Sequence, residues 1–239
     1  MTISNIGESQ RKDARVAGLF WLLTAVTAGF SLVYVRPKVI VFGDAVATAG
    51  NIIAFESLFR LGIAAIILST IFSLFFGLAI FRIFKDAYGA LATVFLTSLL
   101  VGVGVAVVNS LNNIGALVVL GDADYLKAFQ PDQLNALAMI FLRLNNFGIG
   151  LVEIFTALYM FTFGLLIIKS KYLPRILGIL LMIGACAFPV NTFTKTLIPQ
   201  FYPALMTQLT MLLNIFGAPA TILWLLIRGV KGQQQISEA

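Results

Sequence analysis

The chain contains apolar runs that are each long enough to cross a lipid bilayer. The first extends from Val16 to Val35 without a charged residue and lies between Arg15 and Arg36. A hydrocarbon core takes about 20 residues of helix. Of the 239 residues, 60% are hydrophobic and 11% are charged, whereas about a quarter of a soluble domain is charged. We therefore expect an integral membrane protein, an all-α polytopic membrane helix bundle.

Polar segments divide this apolar sequence into six runs. They predict six transmembrane helices at about residues 15–36, 52–82, 88–120, 133–168, 173–195 and 204–228. Together these form one transmembrane domain, residues 15–228, between a short N-terminal segment, residues 1–14, and a tail, residues 229–239. The basic start resembles a signal peptide, but the first run spans a bilayer and lacks a small-residue cleavage site, so it is predicted to remain as a helix.

Lysine and arginine are distributed unequally between the two sides of these helices. The richer side carries Arg11, Lys12, Arg15, Arg82, Lys85, Lys169, Lys171, Arg175, Arg228 and Lys231. The poorer side carries Arg36, Lys38, Lys127 and Lys195. The positive-inside rule places the richer side in the cytoplasm. We therefore expect a multi-pass protein of the cell (inner) membrane with both termini cytoplasmic.

The sequence lacks the residues and motifs of several kinds of chemistry. It has no histidine and one cysteine, Cys186, which excludes internal disulfides and zinc sites built from His and Cys. It has no Walker A loop, G-x-S-x-G elbow, H-E-x-x-H motif or dinucleotide fingerprint. The net charge of +6 lies in short clusters beside apolar runs, so no nucleic-acid partner is expected. No cofactor or metal site is predicted, and an enzyme is the least supported class.

The second, third and fourth predicted helices are longer than a bilayer requires, and the surplus falls on their outer side. Polar side chains concentrate there and share helix faces by the 3.6-residue period. Because charged groups rarely face lipid, we expect them to line a polar chamber in the outer half of the bundle, built by helices two to five. The candidate ligand-binding residues are Arg60, Asn109, Asn113, Arg143 and Asn146, with Glu56, Glu153 and Lys195.

Spacing along the helices distinguishes the two arginines of this set. Glu56 and Arg60 are four residues apart with the acid first, which favours an ion pair within one helix. Arg143 has no acid at that spacing on its own helix. It is therefore expected to bond to Glu56, to carbonyls or amides, or to a ligand.

Two functions fit the polar residues. In the first, the protein is a carrier or sensor whose chamber binds a small anionic or amphipathic ligand. The arginine guanidinium groups hold the anionic group of the ligand by bidentate hydrogen bonds. In the second, the chain is a structural or accessory membrane protein whose polar side chains only lock helices together, at about 1 kcal/mol each. Membrane lipids are partners in both, and the sequence does not determine an oligomeric state. A water-accessible vestibule would favour the first function and a fully paired interior the second.

Short stretches distributed over most of the chain carry a family resemblance. They are Ala14–Leu19, Gly43–Gly62, Arg143–Leu144 and Lys169–Gly178, of which the last is the most specific. In these stretches the chain resembles an uncharacterised, mainly bacterial membrane family, the domain-of-unknown-function family 4386. The resemblance implies a multi-helix bacterial membrane protein. It implies no activity, substrate or catalytic residue.

Overall fold

The computed structural model describes residues 3–198 and 204–230, and every regular element in these ranges is helical. The helices are α1 (Ile3–Gly29), α2 (Arg36–Val39), α3 (Ala45–Ala54), α4 (Glu56–Val119), α5 (Pro131–Ser170), α6 (Arg175–Leu197) and α7 (Ala204–Ile227). A π-helical stretch, Phe30–Val35, joins α1 to α2, and a 3-10 turn, Asp124–Ala128, precedes α5. The predicted all-α class is confirmed. Most of the predicted tail, with Lys231, lies outside the described residues.

Several helical stretches have the length and composition of membrane-crossing segments. Four of them are Ser9–Val39, Glu56–Val119, Pro131–Ser170 and Arg175–Leu197. Two shorter apolar stretches are Ala45–Ala54 and Leu212–Ile227. The long apolar helices suit a membrane helix bundle, as the sequence predicts.

Helix α4 is broken at a single residue. Its 64 residues are helical except at Tyr88, where φ is −138° and ψ is 45°. The sequence predicts a polar turn between residues 82 and 88, whereas the helix continues through that segment. The segment contains neither Gly nor Pro, so nothing in its backbone ends a helix before Tyr88. Two helices, each more than long enough to cross a bilayer, therefore meet at this residue.

Local signals account for several helix ends. The Asp44 Oδ1 accepts a hydrogen bond of 2.8 Å from the Ala47 N–H and so caps the start of α3. Pro131 is the first residue of α5 and Pro174 immediately precedes α6, positions where a missing N–H costs no helical hydrogen bond. After α5 the chain turns at Lys171, whose φ is 58°.

The chain divides into two compact units. The first comprises residues 1–23, 72–103 and 150–239, and the second comprises residues 24–71 and 104–149. Among the described residues of the first unit, the core is aromatic. The ring of Phe163 lies 5.7–6.3 Å from those of Phe76, Phe84 and Phe95, and Trp21 stacks on Phe76 at 4.8 Å. These contacts hold the helical segments of the first unit together.

Two glycines bring α5 and α6 close together within the first unit. A Cβ on Gly164 would lie 2.6 Å from the Gly178 carbonyl oxygen, and a Cβ on Gly178 would lie 2.7 Å from the Gly164 carbonyl oxygen. Such a contact between two backbones requires residues without side chains. The crossing of α5 and α6 therefore depends on both glycines.

The second unit has a smaller core that is mainly aliphatic. Val35, Ile52, Phe59 and Leu142 are buried in it. Gly62 of α4 packs against the π-helical stretch, since a Cβ there would lie 2.9 Å from Val35 Cγ1. This packing holds the start of α4 against the Phe30–Val35 segment.

Candidate functional site

A groove of about 520 Å³ lies on the surface of the second unit. One of its walls comes from the first turns of α4, with Ile63 and Ile67, and the other from the last turns, with Ile114 and Leu117. Its volume falls within the range of ligand sites in proteins, about 300–1,000 Å³. The walls are hydrocarbon, so the groove suits an apolar chain.

Charged and polar side chains also line this groove. They are Arg60 of α4, Asp122 of the turn that follows α4, and Tyr125 of the 3-10 turn. The Arg60 Nε donates to the Glu56 Oε1 at 2.7 Å, the same-helix pair that the spacing predicts. Both side chains of the pair are at least half exposed, at 61% and 50%. The groove therefore combines apolar walls with a positive and a negative group.

A pair of asparagines bridges α4 and α5 in the second unit. The Asn109 side-chain amide donates to the Asn145 carbonyl at 3.0 Å, and the Asn145 amide donates to the Asn109 carbonyl at 3.2 Å. Asn112 donates to the Asn109 Oδ1 at 3.0 Å. Gly148 lies against the same amide, because a Cβ there would collide with the Asn109 side chain. Asn109 is thus held by contacts within the protein.

Asn146 bonds to an arginine that was not among the candidate residues. The Arg36 Nη2 donates to the Asn146 Oδ1 at 2.9 Å, and the Arg36 guanidinium lies 5.3 Å from the centre of the Phe42 ring. Arg36 is half-buried. The sequence marked it only as the end of the first helix, and no local pattern connects it with a residue so distant along the chain.

Two of the candidate residues in the second unit have no polar contact within it. Arg143 is exposed on α5 and forms no hydrogen bond or ion pair with any described residue. Asn113 is half-buried and likewise forms no hydrogen bond in the described part of the chain. Neither residue lines the groove.

The last two candidates, Glu153 and Lys195, belong to the first unit. The Glu153 Oε2 accepts hydrogen bonds from the Asn191 amide at 3.1 Å and from the Thr192 hydroxyl at 2.8 Å. The Thr192 Oγ1 also lies 3.2 Å from the Gly150 carbonyl oxygen. Lys195 is half-buried one turn beyond Asn191 on α6. The eight candidates therefore fall into two sets, one in each unit.

Some residues of these sites were not among the sequence candidates. Asp122 and Tyr125 lie in a short connection that the sequence marks only as an outer loop. Asn145 is the neighbour of a candidate residue and points its side chain toward α4. Their roles depend on contacts between segments that are remote in sequence, and helical spacing carries no signal for such contacts.

Comparison with known proteins identifies a family. The model of the family described as "Domain of unknown function (DUF4386)" matches residues 16–229. The match extends over most of the chain, and the chain belongs to this family. The sequence matches no curated protein and no solved structure.

Proposed function

We propose that this member of the DUF4386 family crosses the membrane six times and binds an amphipathic molecule in its outer groove, as a carrier or sensor. The observation that carries the proposal is the groove itself, where hydrocarbon walls meet Arg60, Asp122 and Tyr125. Such a surface matches a molecule with an apolar chain and a charged head.

Helix lengths and charges support the six crossings. The break at Tyr88 divides α4 into two helices that are each more than long enough to cross a bilayer, so α4 can cross the membrane twice. Arg82 and Lys85 lie just before the break, where the positive-inside rule expects a cytoplasmic turn. One crossing each by α1, α5, α6 and α7 then leaves both termini in the cytoplasm.

Labelling of single cysteines tests this topology. In a Cys186→Ser background, the Asp124→Cys variant is expected to react with a membrane-impermeant maleimide in intact cells, because Asp124 lies in the outer connection. The Lys85→Cys variant is expected to react only after the cells are permeabilised. Labelling of Lys85→Cys in intact cells, or protection of Asp124→Cys, would contradict the six-crossing arrangement.

The position of the groove relative to the two membrane interfaces supports a ligand of lipid type. About 33 Å of helix separates Arg60 from Arg82, at 1.5 Å per residue. That distance exceeds the hydrocarbon thickness, about 30 Å, so Arg60 reaches the outer interface when Arg82 lies at the cytoplasmic one. Ile63 and Ile67 then lie at the depth of acyl chains. In this geometry the head group of a bound lipid lies at Arg60, and its acyl chain lies along the groove.

The charges in the groove favour a head group that carries both signs. Arg60 offers donors to a phosphate or carboxylate, and Asp122 accepts from an ammonium group. The exposed Glu56–Arg60 pair contributes only about 0.2–1 kcal/mol, so the anionic group of a ligand can replace Glu56. A zwitterionic amphipathic molecule therefore fits better than a purely anionic one.

Binding of a short-chain phosphatidylethanolamine to the purified protein tests the groove. At about 100 times its Kd, such a ligand stabilises the folded state by about 2.7 kcal/mol. We expect a rise in the melting temperature of the wild type, its loss in Arg60→Ala, and no rise with glycerophosphoethanolamine, which lacks the acyl chains. The matched control is Arg143→Ala, which removes an exposed arginine outside the groove and is expected to retain the response.

Two results would contradict lipid binding by the groove. If the lipid leaves the wild-type melting temperature unchanged, the groove does not bind this class of ligand. If Arg143→Ala loses the response as fully as Arg60→Ala, the ligand is held by the polar set around Arg143 that the sequence predicts.

A second function is favoured by a different observation, the pairing of the polar side chains with one another. Asn109 with Asn145, and Arg36 with Asn146, form hydrogen bonds within the second unit. Such bonds are what a structural or accessory membrane protein would use to fix its helices. Under this function, substitutions at these residues lower stability and leave lipid binding unchanged.

A further inference from the structure

The first unit contains a carboxylate on a helix of bilayer-crossing length. Glu153 lies on α5, about 24 Å of helix before Lys169 at 1.5 Å per residue. It forms no ion pair with any described residue. Since an ionised carboxylate in a membrane is costly unless its charge is compensated, this group calls for a positive partner.

Oxygen atoms from two helices surround this carboxylate. The Thr192 Oγ1 lies 2.8 Å from the Glu153 Oε2 and 3.2 Å from the Gly150 carbonyl oxygen. A hydroxyl group has one hydrogen, so Thr192 donates fully to only one of these oxygens at a time. Three oxygens therefore share one hydroxyl hydrogen, and the Asn191 amide donates separately to the Glu153 Oε2. A cation bound between them would be coordinated by all three oxygens.

The neighbouring residues hold these oxygens in position. Asn191 is buried and donates from its Nδ2 to the Glu153 Oε2 at 3.1 Å, which orients the carboxylate. Gly150 is also buried, and a Cβ there would lie 3.0 Å from the Thr192 Cγ2. Because this position has no side chain, the Thr192 hydroxyl reaches the Gly150 carbonyl. The Gly150 carbonyl has a second lone pair beyond its helical hydrogen bond.

The donor set indicates the type of cation. Carboxylate, hydroxyl and carbonyl oxygens are ligands for hard cations. One carboxylate balances a single positive charge, and no group of three or more His, Cys, Asp or Glu residues that could hold a metal occurs in the described residues. A divalent ion would leave an excess charge at membrane depth.

We propose that Glu153, Thr192 and Gly150 bind a sodium ion between α5 and α6. Glu153 and Thr192 supply side-chain oxygens, Gly150 supplies its carbonyl oxygen, and Asn191 is a positioning residue for the carboxylate. Pro189 lies two residues before Asn191 and removes an N–H from α6. The ion thus binds α6 to α5 just beyond a point where α6 lacks a backbone hydrogen bond.

Sodium-dependent stability of the full-length protein tests this site. Melting temperatures are compared in NaCl, KCl and N-methylglucamine chloride at equal ionic strength. We expect Na⁺ to raise the wild-type melting temperature by several degrees over the other two cations, and this shift to be lost in Glu153→Gln and reduced in Thr192→Val. The control Asp132→Asn removes an exposed carboxylate from the same helix and is expected to keep the full shift.

Three outcomes would overturn the sodium site. The first is an equal response to all three cations. The second is an unchanged Na⁺ response in Glu153→Gln, or in Thr192→Val if Glu153→Gln does not fold. The third is a wild type that is stabilised by acid but not by Na⁺, together with a Glu153→Gln variant that acid does not stabilise. Glu153 would then bind a proton instead of a sodium ion. Lipid binding by the groove in the second unit is measured independently of each outcome.

Discussion

Gly164→Ala is expected to lower the free energy of unfolding by about 2–3 kcal/mol, the upper range for overpacking. The added Cβ would lie 2.6 Å from the Gly178 carbonyl oxygen, well inside van der Waals contact. A side chain in its way could rotate, but a backbone carbonyl in a helix cannot move alone. Helix α6 would have to shift away from α5, with loss of packing in the first unit.

The matched control for this variant is Gly104→Ala. Gly104 is also in a helix, but beyond its chain neighbours and its own helix backbone a Cβ there would meet no atom of the described residues within 4 Å. Because alanine is a better helix former than glycine by about 1 kcal/mol, Gly104→Ala is expected to be neutral or stabilising. Unfolding of both variants in a detergent titration measures the difference. Equal stability of Gly164→Ala and the wild type would show that α5 and α6 do not cross at these glycines.

Asn145→Ala is expected to lower the free energy of unfolding by about 1–2 kcal/mol, as for side-chain hydrogen bonds between membrane helices. Asn145 is only 6% exposed, and its amide donates to the Asn109 carbonyl. The substitution removes this bond and leaves a small cavity between α4 and α5. Gly148→Ala is expected to have a comparable effect, because its methyl group would displace the Asn109 amide.

Asn113→Ala serves as the control for the asparagine bridge. Asn113 lies one turn beyond Asn109 on α4 and forms no hydrogen bond in the described part of the chain. Its substitution is expected to change the free energy of unfolding by less than about 0.5 kcal/mol, as at sites without a specific contact. Thermal melting of the purified variants compares the two. If Asn113→Ala is as destabilising as Asn145→Ala, the amide bridge is not what fixes these helices.

The long apolar helices were predictable because their signals are local. Apolar runs long enough to cross a bilayer can be recognised in single segments of the sequence. The continuous path of α4 to Tyr88 differs from the expected polar turn, since charged residues such as Arg82 and Lys85 are compatible with a helix. The charged residues in this segment indicated a membrane boundary, but they did not indicate the end of a helix.

The candidate site was only partly predictable for the same physical reason. Glu56 and Arg60 form their pair because helical geometry places residues four apart on one face. Arg36 bonds to Asn146, and Thr192 bonds to Glu153, on different helices and with many residues between them along the chain. These pairs depend on how the helices rotate and pack, which the 3.6-residue period does not specify.

By itself, the sequence determined that this protein is an all-α chain suited to a membrane, and where its basic residues concentrate. Hydropathy and helical periodicity are properties of single segments, so they can be evaluated before any two segments meet. The tertiary structure alone decided which polar groups share a site: Arg60 with Asp122 in the groove, Asn109 with Asn145, and Glu153 with Thr192. Those neighbours follow from close packing between helices, at glycines such as Gly148 and Gly150, where the missing side chains let polar groups come into contact.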